Sequence, residues 1–216
     1  MLVSKLYLLS YNLLQCVGWS LALAGLLRRL FITKSIHGAY AASGDLICFL
    51  QTAAILEVFH AALGLVPSRV VLTLMQVAGK IHWLLFIVRQ VAEVQEHQSV
   101  FITFMAWSLS EVIRYSHYCS TILGTCSSWL TYLRYTAFIV LYPIGIFPGE
   151  MWLMLEALPF IKERNLYSSS FNGLFISYHS FVVALLILYP FLWLSLFLHL
   201  FKQRRGKLRK NLRKKL

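Results

Sequence analysis

The stretch 174–200, LFISYHSFVVALLILYPFLWLSLFLHL, holds no charged residue, and the basic run FKQRRGKLRKNLRKKL follows it at 201–216. Crossing a bilayer takes ~20 predominantly apolar residues, so this stretch predicts a transmembrane helix. The charge beyond it predicts which side the helix ends on: basic residues directly after a span mark a cytoplasmic, membrane-facing tail. Nine of the twenty Lys and Arg lie beyond Phe201, so the formal net charge of +12 is largely a property of this tail. No nucleic-acid partner is expected, because that would require interleaved aromatics or a folded basic face.

The whole chain agrees with its last span. Of 216 residues, 59% are hydrophobic and 13% charged, whereas a soluble domain carries roughly 45–50% and about 25%. Too little charge remains to cover a water-facing surface, which excludes a soluble domain and intrinsic disorder. Working toward the N-terminus, a fifth span starts near Trp129 and runs into Tyr142-Pro143 and Pro148-Gly149-Glu150, where prolines argue against one regular helix. A fourth occupies about 98–118 and a third about 70–89. A second, about 46–66, is joined to the third by the tight turn Val66-Pro67-Ser68-Arg69. The first lies between Lys5 and Arg28; its length and the Arg28-Arg29 pair argue against a cleaved signal peptide despite Ala22-Leu23-Ala24.

The expected fold is therefore all-α, a polytopic bundle of six transmembrane helices over 1–201, with 202–216 as a basic tail. An even span count puts both termini in the cytoplasm, although Arg28, Arg29 and Lys34 then sit on the far side, outweighed by the tail. Cys16, Cys48, Cys119 and Cys126 form no C-x-x-C pair, and the histidines show no metal-ligand spacing, so neither a disulfide framework nor a metal is expected.

Ionisable groups at bilayer depth cost about 2.5–3.5 kcal/mol each on insertion scales and mark functional sites by default. Glu57, Lys80, Glu111, Arg114, Arg134 and Glu150 all fall inside spans. Glu111 and Arg114, three residues apart, can pair on one helix face. Glu57 and Lys80 face each other across the expected hairpin, either as a structural pair or as lining of a polar pocket. Around Tyr142 and Glu150, two prolines and two glycines free backbone groups, which is tolerated at membrane depth only beside protein or a water-filled cavity. A phenol and a carboxyl there can serve as an acid/base pair, or simply anchor a helix end. Other catalytic signatures are missing: Thr125 stands where a cysteine phosphatase beginning at His117-Tyr118-Cys119 needs Arg, and there is no G-x-S-x-G, H-E-x-x-H or P-loop.

Several motifs in order resemble one family. Tyr11-Asn12 with Gly18-Trp19, Leu56-Glu57-Val58-Phe59-His60-Ala61-Ala62, Met75-Gln76-Val77, Trp107-Ser108-Leu109-Ser110-Glu111-Val112-Ile113-Arg114-Tyr115, and Leu133-Arg134-Tyr135 leading to Leu141-Tyr142-Pro143-Ile144-Gly145 are similar to the very-long-chain (3R)-3-hydroxyacyl-CoA dehydratases, also called protein-tyrosine-phosphatase-like proteins. The similarity covers about 7–200. It implies a six-span enzyme of the endoplasmic reticulum membrane that removes water from (3R)-3-hydroxyacyl-CoA to give trans-2-enoyl-CoA, without a cofactor. It also implies that the enzyme works beside the condensing enzymes and reductases of fatty-acid elongation.

By the resemblance, the catalytic pair falls on Tyr142 and Glu150, and supporting or substrate-binding positions on Glu57, Gln76, Lys80, Arg134 and Gly145. Two departures from the family pattern stand out. Lys80 replaces the usual Arg, keeping the charge without the bidentate fork. The Tyr–Glu interval is eight residues where seven is usual, which on an ideal helix turns the Glu by ~100°. The competing expectation is a membrane scaffold of elongase complexes that keeps the fold and has lost turnover through that interval. A transporter finds no support, because no internal repeat is visible.

Overall fold

The computed structural model describes residues 2–168 and 176–213. The sequence places a loop at Ser168-Ser169-Ser170 and Asn172-Gly173, before the last span; all of it after Ser168, and the chain end 214–216, lie outside the described residues. All regular structure among the described residues is helical. In chain order the elements are α1 (Leu2–Thr33), α2 (Ala39–Ala53), α3 (Ile55–Ala62) and α4 (Val70–Ile81), the last continuing into a π-helical turn at His82–Val88. Then come α5 (Gln98–Ile122), α6 (Ser128–Arg134), α7 (Phe138–Ile144), a second π-helical turn at Gly145–Met151, α8 (Trp152–Glu163) and α9 (Tyr178–Arg213).

Five units are long and apolar enough to span a bilayer: Leu2–Thr33, Ala39–Ala62, Val70–Val88, Ser128–Glu163 and Tyr178–Lys207. α5 has the length, at 25 residues, but is too polar for lipid, and its position explains why. It runs through the middle of the bundle, against α1, α2, α6, α7, α8 and the second π turn. Ser99, Thr103, Ser108, Glu111 and His117 are buried along it. Helices around it shield these groups, while Leu14, Phe49 and Phe191 on the outer helices stay exposed, as lipid-facing residues do. Between helices in lipid the gain is close packing rather than escape from water. Trp19, Trp83, Phe104 and Tyr115 supply most of it in the core. Gln15 ties α1 to α2, donating to the Leu50 carbonyl (3.1 Å) and accepting from Trp19 Nε1 (3.1 Å).

Two expectations about the spans are corrected. The second span begins at Ala39 rather than 46, because small residues let α2 pack against α1 through its first turns; Ser43 Oγ donates to the Ala22 carbonyl at 3.0 Å. Asp45 is thereby inside the helix. Gly38 caps this helix in a left-handed conformation (φ 73°), where a Cβ would collide with the Arg29 guanidinium folded over it.

The fifth span is, as expected, not one regular helix, being α6, a tight turn at 135–137, α7, a π turn and α8. The correction is that the prolines do not break it, since Ser128–Glu163 runs on as one apolar unit. Pro148 lacks an N–H and its ring crowds the carbonyl four residues back. Widening the turn to i→i+5 bonds relieves both problems, and Trp152 N–H accordingly reaches back to the Phe147 carbonyl. Side chains satisfy carbonyls of this segment: Ser99 Oγ donates to Pro148 O (2.7 Å) and Trp83 Nε1 to Glu150 O (3.1 Å). Gly149 allows the close approach of α5, since a Cβ there would stand 2.4 Å from Thr103 Oγ1.

A π turn holds one residue more than an α turn, which is the room that the expected one-residue lengthening between Tyr142 and Glu150 needs. The eight-residue interval therefore does not rotate Glu150 away from the interior, where it is 4% exposed. α9 runs without a break across Phe201 into the basic residues.

Candidate active site

Between α3, α4, α5, the Ser128–Glu163 rod and α9 lies a cavity of about 470 Å³. Glu57, Gln76, Lys80, Arg134, Tyr142, Gly145 and Glu150 all line it. Residues far apart in sequence thus line one cavity.

Glu150 sits on the second π turn with both carboxylate oxygens engaged. Oε1 accepts from Trp107 Nε1 at 2.9 Å, and Oε2 accepts from the Tyr189 hydroxyl. Tyr142 is not hydrogen-bonded to Glu150. Its ring lies near Trp193 (6.3 Å) and Phe197 (6.0 Å), close enough to Glu150 for the two groups to interact electrostatically. Its hydroxyl has no hydrogen-bond partner among the described residues.

The charged residues form a chain across the bundle. The expected Glu57–Lys80 pairing across the hairpin is corrected: Lys80 Nζ donates to Glu111 Oε1 at 2.6 Å, while Glu57 takes a two-pronged bond from Arg114 (2.6 and 2.9 Å). Arg114 also donates to Glu111 through Nε at 2.5 Å, so the same-face pair on α5 does form. The reason is α5's insertion between the other spans, which offers each hairpin residue a nearer partner. Glu57 further accepts from the hydroxyls of Tyr115 and, at 3.3 Å, Tyr11. Two carboxylates and two cations neutralise each other there, which is how charge persists at such depth. Lys80 also lies 4.9 Å over the Trp107 ring, linking this network to the indole that holds Glu150. Arg134 pairs with no carboxylate among the described residues; its guanidinium lies 5.8 Å over the rings of both Tyr118 and Tyr135.

Sequence reasoning missed Tyr189, Trp107 and Trp83 as parts of the site. Tyr189 stands inside an apolar run that reads as lipid-facing, and only the antiparallel packing of α9 brings it to Glu150. For the tryptophans a signal was available, since a buried indole N–H requires an acceptor.

The profile described as "Protein tyrosine phosphatase-like protein, PTPLA" matches residues 51–210. That decides the family. This chain belongs to the protein tyrosine phosphatase-like family. Within the family it is similar to very-long-chain (3R)-3-hydroxyacyl-CoA dehydratase 2 of Mus musculus, with 37% identity over 206 residues, 94% of this chain and 81% of that protein. The Homo sapiens dehydratase 2 is 37% identical over 202 residues, 92% of this chain and 79% of the relative. The Mus musculus dehydratase 1 is 32% identical over 209 residues, 94% and 73% respectively. No solved structure matches the chain. The PTPLA match spans the cavity-lining helices from α2 to α9 and so covers every charged residue of the wall.

Proposed function

We infer that this chain is a hydro-lyase that converts very-long-chain (3R)-3-hydroxyacyl-CoA to trans-2-enoyl-CoA. Membership of the family and the similarity to dehydratases 1 and 2 support the reaction class. The observation that carries the site is that Glu150 and Tyr142 line one cavity sunk into an apolar bundle, with Met154, Phe181 and Leu185 in its wall to receive an acyl chain.

Dehydration moves a proton from C2 and a hydroxyl from C3. Glu150 carboxylate takes the C2 proton; the released C–H electron pair becomes the C2–C3 double bond; the C3–O bond breaks; and the Tyr142 hydroxyl protonates the departing oxygen to give water. The phenolate and carboxylic acid left behind return to their starting states by proton exchange. Trp107 and Tyr189 fix the carboxylate for this transfer. The Tyr and Glu roles can be exchanged without changing the overall balance. Gln76 and the Lys80–Glu111–Arg114–Glu57 chain hold the wall, and no step requires a metal or redox group. That Glu150 lines the cavity on a π turn supports this reading over an inactive scaffold.

The setting follows from the same reading: an endoplasmic reticulum membrane protein with both termini in the cytoplasm, working beside the condensing enzyme and reductases that supply its substrate and consume its product. The test is incubation of the purified chain in lipid nanodiscs with long-chain 3-hydroxyacyl-CoA, with the enoyl-CoA product followed by mass. Formation of trans-2-enoyl-CoA is expected; its absence from a folded preparation across several chain lengths refutes the reading.

A further inference from the structure

Among the described residues, not every charge of the cavity finds a partner. Glu57 and Glu111 balance Arg114 and Lys80, whereas Arg134, at one end of the lining, pairs with no carboxylate among the described residues. Its Nε is buried without a hydrogen-bond partner among the described residues, and besides the two ring contacts it makes a long 3.5 Å hydrogen bond to the Tyr118 hydroxyl. Arg134 is half-buried, its guanidinium set over aromatic rings and not paired with a carboxylate, so its charge is open to an anion from outside the protein.

α9 brings more positive charge to the same place. It packs antiparallel to the Ser128–Glu163 rod: Tyr189 meets Glu150, Trp193 meets Phe147 (4.9 Å), Phe197 meets Phe138 (5.7 Å) and Phe201 meets Phe138 (5.2 Å). One further turn along α9 puts Arg204 level with Arg134, and Arg204 Nε is likewise buried without a hydrogen-bond partner among the described residues. Lys207, another turn on, is near enough to His117 for their charges to interact, and the His117 ring lies 5.9 Å from that of Tyr135, beside Arg134. The cavity lining follows α9 up to Leu200, just short of these residues.

We propose that Arg134, Arg204 and Lys207 form a phosphate-binding site at this mouth of the cavity, which takes the pyrophosphate and 3′-phosphate end of the acyl carrier. This rests on the reading of the chain as an acyl-CoA dehydratase. The spacing suits the ligand: Arg134 precedes Glu150 by sixteen residues on one rod, at most roughly 24 Å at 1.5 Å per residue. An extended pantetheine arm bridges such a distance, placing C2 and C3 at Glu150 when the phosphates lie at Arg134. Lipid headgroups share the phosphate chemistry but cannot reach down the cavity to Glu150.

The test uses the full chain in nanodiscs of neutral phosphatidylcholine, beside an Arg204→Gln/Lys207→Gln double variant. Binding of adenosine 3′,5′-bisphosphate is measured by equilibrium dialysis, and kinetics are compared for a 3-hydroxyacyl-CoA and the same acyl group on pantetheine, which lacks the nucleotide. The bisphosphate should bind the unmutated chain and bind the variant about tenfold or more weakly, as expected for lost charge-assisted bonds. The variant's KM should rise by a similar factor for the CoA thioester, with kcat and the pantetheine substrate unaffected. Equal bisphosphate affinity in both proteins overturns the proposal, as does equal impairment on both thioesters. So does binding of phosphatidylserine vesicles, weakened in the variant, without binding of the bisphosphate; that result assigns the basic cluster to lipid. Turnover of both thioesters without discrimination by the variant defeats this site alone. Turnover of neither, with the bisphosphate still bound, defeats the dehydratase reading instead.

Discussion

Glu150 is held from two directions by indoles. Trp83 fixes its backbone carbonyl, and Trp107 fixes Oε1 of its carboxylate. Removing the second donor while keeping an aromatic ring should loosen the carboxylate without unfolding the core. A hydrogen bond to a charged group contributes about 1.5–3 kcal/mol, so Trp107→Phe should lower the melting temperature by a few degrees and kcat by tenfold or more, read by parallel turnover and melting measurements. Arg114 is a different case, because it bridges Glu57 and Glu111. Arg114→Ala leaves two carboxylates without their shared partner, and the expected loss is about 3–5 kcal/mol, seen as a lowered denaturation midpoint in detergent. The residue types of this network were legible in the sequence as misplaced charges at bilayer depth. The Glu111–Arg114 pair was legible as well, from its spacing of three, whereas the partners of Lys80 and Glu57 were not, since they lie on α5, far from both in sequence.

At the scale of elements, the second π turn decides whether Tyr142 and Glu150 belong to one wall. Pro143 and Pro148 read as breakers in the sequence, because propensity alone does not distinguish a broken helix from one that widens by a residue and finds side-chain donors for its carbonyls. Those donors, Ser99 and Trp83, come from other helices and are invisible to any local reading. If the turn stores the extra residue, removing that residue should straighten the helix rather than misdirect it. Deletion of Pro148 should therefore keep Glu150 facing the cavity and retain turnover within about tenfold, whereas deletion of Ile139, outside the π turn, should rotate the following residues by ~100° and abolish it. Loss of activity in both deletions would contradict the role assigned to this turn. Span positions were legible to within a few residues, apart from the start of α2, because lipid imposes a strong and simple pattern on the outer helices. The polar rod α5 could also be read as a span by its length.

For the molecule as a whole, a polar helix at the centre of five apolar units makes a cavity that no single segment encodes. With α5 counted as a sixth crossing beside the five apolar units, the even count and the basic end of α9 predict both termini on the cytoplasmic side. Tags at the two ends should both be accessible to antibody after selective plasma-membrane permeabilisation, and access at only one end would require an odd count. The central claim is that this cavity removes water from a 3-hydroxyacyl thioester at Glu150. Its most direct test is turnover of a long-chain 3-hydroxyacyl-CoA by the unmutated chain beside Glu150→Gln, which keeps the shape of the side chain and removes its basicity. The expected result is enoyl-CoA formation that falls by about two to four orders of magnitude in the variant while its melting temperature is retained; a Glu150→Gln protein that dehydrates the substrate as fast as the unmutated chain would contradict the account.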